Sequence, residues 1–213
     1  MNRRMNPIDH FISNIDQGMR TIFGKPDITE RENPAREVDE AELTDKEKRH
    51  SAALMRVNHA GEIAAQALYQ GQALTARNDK VRDQMERSAQ EENDHLDWCE
   101  NRLKELDSHT SYLAPLWYTG SLAIGALAGA AGDKWSLGFV VETERQVEKH
   151  LDEHLKEISA KDERSKVIIQ KMKEDEIHHA TTALEAGGAP LPAPLKSLMK
   201  LTSKIMTKTA YRI

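Results

Sequence analysis

The sequence predicts an all-α protein built around a four-helix bundle, and three observations predict it. Charged residues make up 31% of the chain and aromatic residues 5%, with the charge carried by helix-favouring Glu and Lys. Apolar residues recur at helical spacing in four long segments. Breaks such as Asn78-Asp79 and Gly187-Gly188 separate or end those segments. A length of 213 residues favours one large domain over two small ones.

Residues 6–23 place Ile8, Phe11, Ile12, Ile15, Met19 and Ile22 at helical spacing, and Gly24 and Pro26 end this amphipathic segment. Residues 25–43, with Pro26, Pro34 and many acids, read as an extended connector. Thr44 precedes Glu47 by three residues, a capping box that opens a helix running to about Arg77. A second helix is expected over 79–106, a third over 133–159 and a fourth over 162–186, stopped by Gly187-Gly188. A Pro-rich link, 189–194, leads to a final helix over 195–211. The expected organisation is therefore 1–43 (amphipathic helix and connector), 44–188 (bundle, with a charge-free insert at 110–132) and 189–213 (basic amphipathic helix).

Composition excludes some functions. Thirty Lys and Arg against 35 acids give a net charge of −5, which argues against nucleic acid as a partner. The single Cys99 allows no intrachain disulfide and fits a reducing compartment, and residues 1–24 hold no apolar run of the secretory kind. An intracellular protein is expected.

The informative feature is a set of carboxylates inside apolar stripes. Met85, Ala89, Glu92, Leu96, Cys99, Leu103 and Leu106 step by four and three, so Glu92 lies on a core-facing stripe and His95 shares its face. Met172, Glu176, His179 and Ala183 repeat the pattern. Glu62 lies in the stripe Met55, Glu62, Ala65, Tyr69, Ala73, and Glu144 in the stripe Glu144, Val147, Leu151, Leu155, Ile158. Glu142 competes with Glu144, but it projects off that stripe. A buried, unpaired carboxylate costs several kcal/mol, so a compensating partner is required. The expected ligand set is Glu62, Glu92, His95, Glu144, Glu176 and His179. Four Glu and two His from paired hairpins form the ligand arrangement of the ferritin-like dimetal carboxylate bundle. Four carboxylates balance two divalent ions, and mixed oxygen and nitrogen donors suit iron or manganese. His59, His150, His154 and His178 are read as surface groups or supports behind the ligands, and Cys99 as a small core residue.

Arg56-Val57-Asn58-His59-Ala60-Gly61-Glu62, followed by Leu68-Tyr69-Gln70-Gly71-Gln72, resembles the signature of the demethoxyubiquinone hydroxylases of ubiquinone biosynthesis. The Glu92/His95 and Glu176/His179 pairs match that family's ligand pattern, and an ungapped alignment through His150 places the third-helix ligand on Glu144. Asn58 departs from the Asp that many members carry. The resemblance covers about 48–186 and implies a membrane-associated diiron monooxygenase of ferritin-like fold. The substrate it implies is 2-polyprenyl-3-methyl-6-methoxy-1,4-benzoquinol, hydroxylated on the ring with O2 as co-substrate and two iron ions cycling between Fe2+ and Fe3+. Beyond the metal ligands it implies no catalytic residue. Tyr69, on the stripe of Glu62, is open to substrate contact, a hydrogen bond or plain packing.

A polyprenyl substrate implies a membrane surface. Residues 110–132 are long enough to span by count, but one crossing would part His95 from Glu144 across the membrane. The segment is expected to dip into one leaflet or to pack on the bundle and open a path for the substrate tail, with Gly125 and Gly129 permitting close helix contact. Lys196, Lys200, Lys204 and Lys208 form a stripe beside Leu198, Leu201, Ile205 and Met206, which reads as a helix lying on an anionic surface. A peripheral place on the cytoplasmic face of the cell membrane follows. A solvated terminal helix or subunit contact is the alternative for the tail. A complex with other ubiquinone-synthesis proteins and a homo-oligomer stay open, and without a GxGxxG fingerprint the reductant is unassigned. The rival functions are a ferritin- or rubrerythrin-like iron-storage or peroxide-scavenging protein and a scaffold with a vestigial site. The charge-free 110–132 segment argues against a soluble cage subunit.

Overall fold

The structure, a computed structural model, describes residues 7–213, with residues 7–12 and 14 described through their backbone alone. The described residues form α1 (Pro7–Phe23), α2 (Asp45–Thr75), α3 (Asp79–Glu105), α4 (Ala114–Ala130), α5 (Asp133–Glu157), α6 (Glu163–Glu185) and α7 (Ala193–Ala210), with no strand among them. Local chemistry sets the boundaries. Thr44 and Glu47 close both bonds of the capping box at 3.3 and 2.9 Å. Asn78 caps α3 through Lys80 N, and Asp162 caps α6 through Ser165 N. Gly187, with φ of 101°, takes the left-handed conformation that ends α6.

The hairpins α2–α3 and α5–α6 pack together as the four-helix bundle, α3 against α6 and α2 against α5. Their core is divided in two. One apolar cluster holds Met55, Cys99, Leu103, Leu151, Ile168 and Met172. The other holds Tyr69, Met85, Leu137, Val140, Val141 and Ala183. In sequence, each bundle helix passes from one cluster to the other across a buried Glu or Glu-x-x-His, so the polar groups form a layer between two dry halves.

Helix α2 departs from the expectation of a single inward stripe. Ala60, Ala64, Ala67, Gln66 and Gln70 are buried as well, because α4 and α7 cover the side of α2 turned away from the bundle. The α2–α4 crossing is close enough to demand glycine on both helices. A Cβ on Gly71 would sit 2.3 Å from the Leu122 carbonyl oxygen, and one on Gly125 would sit 2.2 Å from that of Leu68. The 110–132 segment thus packs on the bundle by one side, while Leu116, Ile124 and Leu127 on its other side are exposed. No helix among the described residues is long and apolar enough to cross a membrane. In the N-terminal segment, Ile8, Phe11 and Ile12 lie outside the described side chains. Ile15 and Met19 are exposed, and Ile22 packs beside Tyr118 and Ile63.

The crossing makes a direct prediction. Gly125→Ala should lower stability in denaturant unfolding by about 3 kcal/mol, since the backbone of α2 must move. Gly120→Ala, with nothing within 4 Å of its Cβ, should raise it by about 0.5–1 kcal/mol through helix propensity alone. Equal midpoints for the two variants would contradict the close crossing.

Candidate metal centre

Glu62 comes from α2, Glu92 and His95 from α3, Glu144 from α5, and Glu176 and His179 from α6. All six are buried, none more than 4% exposed. They meet in two groups, Glu62/Glu92/His95/Glu176 and Glu92/Glu144/Glu176/His179, the donor atoms of each group lying within 4.8 Å of one another. Glu92 and Glu176 belong to both. The Glu-x-x-His spacing accounts for this, since residues three apart share a helix face.

His95 Nδ1 lies 3.0 Å from Glu92 Oε2 and 3.5 Å from both Glu62 Oε2 and Glu176 Oε1. His179 Nδ1 lies 3.3 Å from Glu92 Oε1 and 3.5 Å from Glu176 Oε2. Each imidazole therefore turns Nδ1 to the centre and Nε2 outward. His95 Nε2 is held by Asp175 at 3.0 Å, and His179 Nε2 by Glu91 at 2.8 Å. The two supports are exchanged: the acid preceding the Glu of each motif holds the histidine of the other. A carboxylate behind a histidine fixes the ring and its tautomer, as in metal sites generally.

The donor set fits a pair of cations. Glu92 Oε1, Glu144 Oε2, both oxygens of Glu176 and His179 Nδ1 are buried without a hydrogen-bond partner, which is rare unless something else meets them. The protonation pattern says the same. Burial, reinforced by Glu92, pushes the Glu62 carboxyl well up, and burial reinforced by Glu176 does so for Glu144. Burial opposes ionisation of Glu92 and Glu176 too, but the facing imidazoles outweigh it and hold both below the usual carboxylate range. Burial likewise opposes charge on His95 and His179, and the surrounding carboxylates override it and raise both. Two divalent cations would balance four carboxylates.

The six expected residues are thus brought together, and Glu142 lies outside, bound to Lys196 at 2.9 Å. Tyr69 is buried and donates its hydroxyl to Glu144 Oε1. Cys99 is a core residue beside Met172 Sδ. His178 is exposed. The expectation of a surface place for His59 and His154 requires correction: both are buried, at 5% and 4% exposure. The His154 ring lies tilted at 59° to that of His150, ring centres 3.9 Å apart. Glu91 and Asp175 were missed by periodicity, although the repeated pattern acid-Glu-x-x-His (Glu91-Glu92, Asp175-Glu176) was available as a signal.

An apolar cavity of about 380 Å³ opens beside the centre. Leu68, Trp117, Ile124, Phe139, Val147 and Met206 line it, together with Gly61 and Thr143, the residues preceding Glu62 and Glu144. Its walls come from α2, α4, α5 and α7.

Residues 49–210 match the family of ubiquinone biosynthesis protein COQ7. A 3-demethoxyubiquinol 3-hydroxylase of Nitrosococcus oceani is 60% identical over 211 residues, covering 99% of each chain. Those of Acinetobacter baumannii (56%, covering 98% of this chain and 99% of the other) and Nitrosomonas eutropha (54%, 96% and 98%) are similar along nearly their whole length. Among solved structures, a dodecameric thioferritin, the bacterioferritin-related protein from Bacteroides fragilis, aligns with a TM-score of 0.56 at 18% identity. The alignment covers 76% of this chain and 92% of that one, and places the fold as ferritin-like.

The buried histidines give a pH dependence of stability. Burial, with help from His150 and His50, pushes His154 down to about 3 from its ordinary 6.5. The folded chain holds it neutral while the unfolded chain protonates it, so its contribution is complete above about 6.5 and declines as pH falls toward 3. His154→Phe should flatten the fall in melting temperature between pH 7 and pH 5; an unchanged slope would contradict this assignment.

Proposed function

The chain belongs to the family of ubiquinone biosynthesis protein COQ7 and is a hydroxylase of ubiquinone biosynthesis, and we propose that it works through two iron ions held by Glu62, Glu92, His95, Glu144, Glu176 and His179. The observation that carries this reading is the pair of buried donor groups sharing Glu92 and Glu176. Glu62 and His95 would serve one ion, Glu144 and His179 the other, and Glu92 and Glu176 both. The substrate is the ring of 2-polyprenyl-3-methyl-6-methoxy-1,4-benzoquinol. One atom of O2 enters a ring C–H bond as hydroxyl and the other leaves as water, with two electrons and two protons from an external reductant.

When bound, the iron pair supplies the electrons and open positions that reduce O2. The chain supplies the rest. Asp175 and Glu91 hold the imidazoles in register, and Tyr69 keeps a donor on Glu144. The apolar clusters on either side of the ligand layer exclude water. The apolar cavity is suited to the first part of a polyprenyl tail, placing the ring at Gly61 and Thr143.

Such a substrate would be met at a membrane surface. Leu116, Ile124 and Leu127 of α4 and Leu198, Leu201 and Ile205 of α7 are exposed, and clustered exposed aliphatic side chains mark interaction surfaces. Lys200, Lys204 and Lys208 lie beside it, exposed, whereas Lys196 is occupied by Glu142. We place this face on the cytoplasmic side of the cell membrane as a peripheral contact.

Glu92→Ala and Glu176→Ala should each lose the uptake of both ions and reduce product from the demethoxy quinol to background. Without metal, each variant should melt below the parent, because it strips His95 and His179 of a buried partner. Product at the parental rate would overturn the proposed centre. Replacing Lys200, Lys204 and Lys208 together by Gln should weaken flotation with phosphatidylglycerol vesicles by about 1 kcal/mol per lysine, and unchanged flotation would remove the membrane face.

A further inference from the structure

Residues 24–44 carry no helix, lie outside the segment 49–210 that matches the family, and read in sequence as a mere connector. In the structure they lie against α3 and α6, and Arg31 is where they reach the metal centre. Arg31 Nε bonds Asp94 Oδ2 at 2.6 Å, Nη1 bonds Asp175 Oδ2 at 2.6 Å, and Nη2 donates to the Glu91 carbonyl oxygen at 3.1 Å. The Asp175 oxygen that accepts from Arg31 is the one that faces His95 Nε2 at 3.0 Å. The guanidinium also sits 5.2 Å over the Trp98 ring, whose other neighbour is the His95 ring, 5.3 Å away. His179 is braced by a different cation: its support is the Glu91 side chain, whose other oxygen accepts from Arg87 Nε at 2.8 Å, and Arg31 bonds Glu91 only through the backbone carbonyl oxygen.

We propose that Arg31 is a positioning residue for His95: through the shared Asp175 oxygen and through Trp98, the connector fixes the imidazole of one metal position and leaves the His179 position alone. The inference rests on the two-ion reading of the centre. A planar guanidinium meets three acceptors in three directions, and an ammonium cannot replace it. Asp94 supplies the anchor. It is buried, 1% exposed, and it takes two further bonds from the connector, from Thr29 N at 2.7 Å and Thr29 Oγ1 at 2.6 Å. The connector is thereby locked to α3 independently of Asp175, which separates its structural role from its positioning role.

The test compares the full-length parent with Arg31→Met, Arg31→Lys and Thr29→Val. Manganous ion uptake is measured by equilibrium dialysis, and ⁵⁷Fe-loaded protein by Mössbauer spectroscopy, both anaerobically. The parent should bind two ions. Arg31→Met should weaken one ion by about tenfold to a hundredfold, the range expected for a partner behind a ligand, and leave the other within about twofold. Only one of two iron signals should change. Arg31→Lys should fall between, and it carries the same comparison if Arg31→Met does not fold. Thr29→Val should lower the melting temperature with both affinities intact. Two parental affinities in the Arg31 variants, or an equal loss at both positions, would overturn the positioning role while leaving the two-ion centre standing. A parent that binds no pair of ions would overturn both.

Discussion

Four carboxylates and two imidazoles lie in a layer between two apolar clusters, and that layer must be neutral. Removing a single ionised group from water costs several kcal/mol even after the protein relaxes, so the layer survives only if charge is compensated on the spot. Burial drives the Glu62 and Glu144 carboxyls up, and the surrounding carboxylates raise both histidines. Glu176 has both oxygens unpartnered and Glu144 one. Two dications meet the same charge requirement and the unmet oxygens together. The two hairpins serve this constraint by bringing all six polar groups to one level of the bundle, away from solvent.

The bundle alone does not specify the chemistry. The thioferritin from Bacteroides fragilis shares the fold, and a fold hosts many functions. What sets this chain apart lies around α2. Helices α4 and α7 cover it on the side away from the bundle, the α4 contact made possible by Gly71, Gly125 and Gly129. They border an apolar cavity between α2 and α5. They also present aliphatic side chains outward.

The burial of the four carboxylates was legible because each interrupts an apolar stripe, where a carboxylate is stable only beside a cation or with a proton of its own. Glu144 was separable from Glu142 on the same ground, and the structure gives Glu142 a lysine instead. The supports behind the ligands were not legible. Glu91 and Asp175 sit about 100° around the helix from Glu92 and Glu176, where periodicity assigns an acid to solvent; only the packing of α3 on α6 turns them to the opposite histidines. His59 and His154 failed for a related reason, because burial by elements distant in sequence leaves no mark on local spacing. The connector shows the limit most clearly. Nothing in its Pro-rich, acidic composition distinguishes Arg31 from a solvated cation.

The central claim is that two iron ions share Glu92 and Glu176. Crystals grown anaerobically with ferrous ion and measured on either side of the iron absorption edge test it most directly. Two anomalous peaks about 3.5–4 Å apart, one toward His95 and one toward His179 with both shared glutamates between them, are the expected result. A single peak, or iron bound only at the surface, would contradict the account.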